Sequence, residues 1–201
     1  QTCVFYPLSA IYLLFPYPQA FNYFIVIHVF LAGLFTYILM KEWGYSGYAG
    51  ILSASIFMFS GYIISVINLL ASFASAIWLP LVILFYERSL KSDWVKNSII
   101  TGIFMTLMFL GGEPAILYAT FFILLLFNRV VLDSAPSALR SNNISILRAK
   151  PRPFFGKGGA KSRSMLLATI VFLGLASFQI LPFLEFLKHT SRNLMDFNEA
   201  S

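Results

Sequence analysis

Long stretches of this chain carry no charge, and that constrains its fold more than any motif does. Residues 1–40 contain no Asp, Glu, Lys or Arg, and neither do 43–86, 97–112, 114–128 or 164–184, together 136 of 201 positions. A soluble domain scatters charge along its whole length, because every surface turn has to be wetted. Uncharged apolar stretches of ~20 residues instead match the length of a helix crossing the ~30 Å hydrocarbon core of a bilayer. With 59% hydrophobic residues, the composition excludes a soluble enzyme and a disordered tail. The single cysteine, Cys3, excludes a disulfide scaffold. The fold class expected is all-α: a polytopic transmembrane helical bundle of about six spans, preceded by a short N-terminal re-entrant or interfacial segment.

The spans follow from the charges and the chain breakers. The first runs near 21–40, after a stretch punctuated by Pro7, Pro16 and Pro18, and closes at Lys41-Glu42-Trp43. The 44 uncharged residues 43–86 are ~66 Å of helix, enough for two crossings. The cluster of Gly, Ser and Asn between Gly61 and Ser75 is the natural hinge, giving spans near 47–66 and 71–86. The latter contains Pro80, which is expected to kink the helix without ending it. A fourth span, near 95–110, stops at Gly111-Gly112; a fifth, near 114–131, starts on Pro114; a sixth covers 164–186. Residues 132–163 form the long polar loop, and 1–201 reads as a single transmembrane domain. Gln1 in place of Met, with no basic region before the apolar run, leads to the expectation of an internal stretch of a longer chain.

Twelve of the 14 basic residues fall in the turns 41–43 and 87–96 and in 129–163; the other two are Lys188 and Arg192. Lys and Arg are retained on the cytoplasmic side. Six alternating spans put those three segments on one face, so the basic loop 132–163 is expected to be cytoplasmic and residues 1–20 and 188–201 extracytoplasmic. The net charge of +6 is therefore a topology signal, and nucleic acid is not an expected partner. Membrane lipids are.

Two motifs are decoys. Gly156-Lys157-Gly158-Gly159-Ala160-Lys161-Ser162 resembles a phosphate loop, but Phe155 and Ala160 stand where glycines are required. Asn143-Ile144-Ser145 fits a glycosylation sequon on the side expected to be cytoplasmic. There is no Cys/His cluster and no HExxH or GxSxG motif.

Polar groups inside a bilayer are costly and mark candidate sites. His28, Asn68 and Gln179 each read either as an interhelical hydrogen bond or as a ligand contact. Glu113, the only charge between 97 and 128, is either a helix-start acid or a carboxylate aimed into a cavity. Glu185, Lys188, His189 and Arg192 cluster at the end of the sixth span. They read as interfacial charges or as a clamp for a phosphate, with Lys188 and Arg192 one helical turn apart.

A family resemblance falls on these positions. Gln1-Thr2-Cys3-Val4-Phe5-Tyr6-Pro7, His28 with Ala32-Gly33 and Tyr37, and Trp78-Leu79-Pro80-Leu81 resemble the bacterial YfhO-type membrane proteins. The resemblance continues through Gly111-Gly112-Glu113-Pro114 and Gln179-Ile180-Leu181-Pro182 with Glu185, Ser191 and Arg192. That family is similar to the GT-C glycosyltransferases, and the resemblance implies an enzyme of the bacterial plasma membrane. Its implied partner is a polyprenyl-phosphate-linked sugar, and its acceptor a glycan or lipid of the cell envelope. It also implies that the catalytic acid lies upstream of Gln1 and that further spans follow Ser201. This chain would then supply a wall of the site: Lys188 and Arg192 for the departing phosphate, and Glu113 to orient sugar or acceptor. No cofactor is identifiable, and a divalent metal in the full-length enzyme is left open. A lipid or solute transporter and a non-catalytic membrane scaffold are the rival readings; the absence of a visible inverted repeat weighs against transport.

Overall fold

A computed structural model describes residues 6–133 and 158–189, with side chains described over 6–126 and 163–180. The described residues contain helices and no strand. A 3-10 turn, Pro7–Ala10, leads into α1 (Ile11–Leu14) and α2 (Tyr17–Glu42). There follow α3 (Gly47–Met58), α4 (Gly61–Val66), α5 (Leu70–Ala76), α6 (Leu79–Lys91), α7 (Trp94–Leu110), α8 (Pro114–Asp133) and α9 (Gly158–His189).

Among the described residues, four segments are long and apolar enough to cross a membrane: Tyr17–Glu42, Gly47–Val66, Leu70–Lys91 and Arg163–Ile180. Trp94–Leu110 and Pro114–Leu126 are shorter apolar helices. Outward-facing Val26, Phe30, Leu52, Ile56, Phe122 and Leu166 are exposed, a surface suited to lipid rather than water.

Local chemistry sets the helix ends. Gly44 has φ +84, and the amides of Gly44 and Tyr45 return to the carbonyls of Lys41 and Met40. This Schellman arrangement closes α2. The expected single span 47–66 is two helices, because the Ser60 hydroxyl accepts from the Ile63 amide and restarts the chain at Gly61. The span near 71–86 is likewise divided, and here the expected kink at Pro80 becomes a break at Ile77-Trp78. Proline has no N–H to give to the carbonyl of Ala76, so it sits in the first turn of the new helix α6. The sixth helix starts earlier than expected, at Gly158, so Lys161 and Arg163 lie within it; residues 134–157 of the basic loop are outside the described residues.

Several buried hydroxyls are satisfied inside their own helices. Thr36, Ser75, Thr101, Thr106 and Thr120 each donate to the carbonyl four residues earlier. Polar residues can therefore line the bundle without partners across it. At one end of the bundle Arg88 pairs with Glu42 at 2.8 Å, and the Ser164 hydroxyl donates to the Ser89 carbonyl. This is the charged end of the bundle. It gathers the α2 C-terminus, the α6 C-terminus and the early part of α9.

Candidate functional site

Three levels of polar structure run through the bundle. At the charged end Glu87 is almost fully buried at 1% exposure, accepting from the Trp43 indole N–H and from Lys91. The i,i+4 spacing of Glu87 and Lys91 is readable from sequence; the tie to Trp43 is not. With Glu42–Arg88 alongside, these groups neutralise one another and hold α2 to α6.

The second level is centred on His28, which is completely buried in the middle of α2. Its Nδ1 lies 2.7 Å from the Phe24 carbonyl, which can only accept, so the proton is on Nδ1. Nε2 is therefore the acceptor and takes the Tyr6 hydroxyl at 2.9 Å. The Tyr6 oxygen in turn accepts the Trp78 indole N–H at 3.0 Å. The imidazole stacks on Phe24 with centroids 3.8 Å apart. Of the two sequence readings of His28, the geometry gives hydrogen bonding, but to the N-terminal segment rather than to a long helix. With both ring nitrogens engaged, His28 is a structural tie. Tyr6 and Trp78 are the partners that sequence reasoning missed, since nothing in the spacing 6, 28, 78 points to a chain of hydrogen bonds.

The third level is the turn between α7 and α8. The Gly111 and Gly112 amides close α7 on the Leu107 and Phe109 carbonyls, Gly112 takes φ +100, and Pro114 opens α8. Glu113 is thus presented on a rigid turn. It is half-buried, and its Oε2 accepts the Ser72 hydroxyl of α5 at 3.0 Å. Gly111 lies so close to α5 that a Cβ there would be 2.8 Å from the Ser75 amide nitrogen. Ser72 was not singled out by sequence, where serines are common and no spacing links it to 113.

Gln179 continues the buried row Ala168, Phe172, Ala176 of α9, and its Oε1 is buried with no hydrogen-bond partner among the described residues. Asn68 is exposed in the turn between α4 and α5. Glu185 and Lys188 fall on the α9 backbone with their side chains outside the described residues, and Arg192 lies outside them altogether. Glu113 and His28 do not share one polar cluster, although α5 connects them: Ser72 bonds Glu113, while neighbouring Phe73 lies 5.7 Å from the His28 ring. Among the described residues no three His, Cys, Asp or Glu converge on a point where a metal could sit.

No protein-family model, curated protein or solved structure matches the chain.

Proposed function

We propose that this chain supplies about six spans of a larger membrane glycosyltransferase of the GT-C type, related to the YfhO-type proteins. It moves a sugar from a polyprenyl-phosphate carrier to a cell-envelope acceptor on the extracytoplasmic face of the bacterial plasma membrane. The observation that supports this reading best is Glu113. Its carboxylate sits on a rigid turn, held by one hydroxyl, with no other described residue donating to its second oxygen. Such a group can orient a sugar or acceptor hydroxyl, while Lys188 and Arg192 serve the phosphate and the general base lies upstream. In the intact protein, Glu113→Gln and Arg192→Ala should each lower glycan transfer by about tenfold or more while expression holds, a loss of ~1.4 kcal/mol or more. Arg192→Lys should recover only part, because a point charge cannot grip phosphate through two parallel hydrogen bonds. Full transfer in both loss variants sinks the assignment.

The orientation belongs to the same proposal. In a Cys3→Ser background, an impermeant thiol reagent applied to intact cells should label Asn193→Cys and spare Ser145→Cys. The reverse pattern inverts the topology and removes the extracytoplasmic site.

A second reading has its own support: the breaks at Phe59-Ser60 and Ile77-Trp78 resemble the discontinuous helices of transporters. Uptake of a solute or lipid by reconstituted vesicles, without glycan transfer, would favour it.

A further inference from the structure

Two rulers measure how far the α7–α8 turn lies from the charged end of the bundle. The first is chain length. Residues 97–112 and 114–128 are uncharged, 16 and 15 positions separating Lys96, Glu113 and Arg129, so helix can put at most ~24 and ~23 Å between those charges. The second is contact with α2. Trp78, at the start of α6, lies 5.4 Å from Phe35 and 5.7 Å from Phe104. Gly111, two helical turns beyond Phe104, packs on Ser75 and Ala74, and the adjacent Phe73 lies 5.7 Å from the His28 ring. The turn is therefore at about the level of His28, ~20 Å along α2 from Lys41. Both rulers give about 20–24 Å.

The charged end sits at a membrane surface. Lys41 and Lys96 are exposed there, and so are Tyr45, Tyr48 and Trp94, amphipathic rings of the kind that collect at headgroup level. Counted from that surface, an ordinary hydrocarbon core ends ~30 Å away. α2 reaches that far: Tyr17 is ~36 Å from Lys41, and its exposed ring and that of Tyr23 suit the opposite surface. The α7–α8 turn falls short by ~6 Å or more. Tilt only increases the shortfall, because a tilted helix covers less of the membrane normal.

Hydrocarbon is a poor filling for that gap. The first amides of α8 have no partner inside their own helix, and Pro114 and Ala115 at its start are exposed. Glu113 beside them is half-buried and held inward by the Ser72 hydroxyl, so its short side chain cannot climb to a distant surface as a lysine would. Below the turn the exposed residues of α8 are apolar: Phe122, Ile123, Leu125 and Leu126. α8 thus offers lipid an apolar face that is too short and ends in polar groups.

We infer that the bilayer is pinched on the α8 side. The headgroups of the leaflet opposite the charged end dip by about 6 Å to meet the turn at 111–114, while the same leaflet keeps its ordinary thickness along α2. The partner of this surface is a phospholipid headgroup layer, drawn down to a depth that the lengths of α7 and α8 set. A leaflet thins at modest cost, whereas backbone groups left unpaired in hydrocarbon are expensive.

The test places a bimane fluorophore on single cysteines of the intact protein, with Cys3→Ser, reconstituted in dioleoylphosphatidylcholine vesicles. Ala115→Cys reports the turn. Val26→Cys faces lipid on α2 at nearly the same distance from the charged end, ~22 Å from Lys41. Lipids carrying a nitroxide on the headgroup or at the 12-position of the acyl chain then quench according to depth. The ratio of headgroup to chain quenching should be about threefold or more higher at Ala115→Cys than at Val26→Cys. Tyr118→Cys, one helical turn further along α8, should fall between the two and carries the same comparison if Ala115→Cys does not fold. Equal ratios on α8 and α2 overturn the pinch. Quenching of the α8 probes by aqueous iodide but by neither nitroxide overturns it as well, since that is the mark of a protein-walled crevice. None of these readings involves sugar transfer, so the result stands or falls apart from the glycosyltransferase assignment.

Discussion

Tyr6→Phe is expected to destabilise the bundle by roughly 2–6 kcal/mol, although it removes a single oxygen atom. That oxygen accepts from the Trp78 indole at 3.0 Å and donates to His28 Nε2 at 2.9 Å. His28 is fully buried and Trp78 nearly so, so neither can turn to solvent for a replacement. Each buried group left without a partner costs ~1–3 kcal/mol, and Phe strands two of them. Reversible unfolding in mixed micelles measures the loss. Ser55→Ala is the control: it deletes an exposed hydroxyl bonded only within its own turn and should change stability by less than ~0.5 kcal/mol. A double-mutant cycle with His28→Leu should show coupling of ~0.5–3 kcal/mol, since one hydrogen bond is shared between the two sites. A Tyr6→Phe loss no larger than that of Ser55→Ala would mean that water enters this level and that the N-terminal segment is not anchored by it.

The contrast between Tyr6 and Glu113 shows what the sequence made legible. Charge-free windows reveal apolar helices because the bilayer imposes one rule on every residue of a span, and that rule is visible at each position. The Lys41-Glu42 stop, the Gly111-Gly112 stop and the Pro114 start were readable for the same reason: each acts within one turn of itself. Glu113 stood out because no other charge lies between 97 and 128. The breaks at Ser60 and Trp78 were harder. A serine inside an apolar run is usually bonded back to its own helix, as Ser55 and Ser75 are, and only geometry distinguishes the one that caps a new helix. Pro80 announced a disturbance but not its form. Tyr6 and Ser72 were not legible at all, because their partners are 22 and 41 positions away and the chain carries ten tyrosines with no rule to choose among them. The short reach of α6 and α7 was present in the residue numbers, yet it becomes a depth only when Phe35, Trp78 and Phe104 are seen to lie side by side.

Three glycine-to-alanine substitutions should separate close packing from helix propensity, and the largest loss is expected at Gly111. A Cβ there would lie 2.5 Å from the Ser75 hydroxyl and 2.8 Å from the Ser75 amide nitrogen, so backbone has to move. At Gly102 it would meet the Ala168 carbonyl at 2.7 Å and Val171 Cβ at 2.8 Å, where α7 and α9 approach each other. Forcing a methyl group into contacts of this kind costs ~1–3 kcal/mol. Gly174, also on α9, has nothing within 4 Å of an added Cβ. There alanine should be neutral or stabilising by up to ~1 kcal/mol, because it restricts the unfolded chain and favours the helix. The two damaging variants should differ in what they disturb. Gly102→Ala pushes α9 from α7 and leaves the α5 contact of the turn intact, so glycan transfer by the surviving folded fraction should stay near normal. Gly111→Ala shifts the turn off α5, separating Glu113 from the Ser72 hydroxyl that now holds it at 3.0 Å, so folded protein should lose transfer as Glu113→Gln does. Ser72→Ala, which removes the same hydrogen bond without moving backbone, should reproduce part of that loss with little effect on stability. If Gly111→Ala retains full transfer per folded molecule, the α7–α8 turn has no part in the site, and Glu113 is only the acidic first-turn residue of a helix.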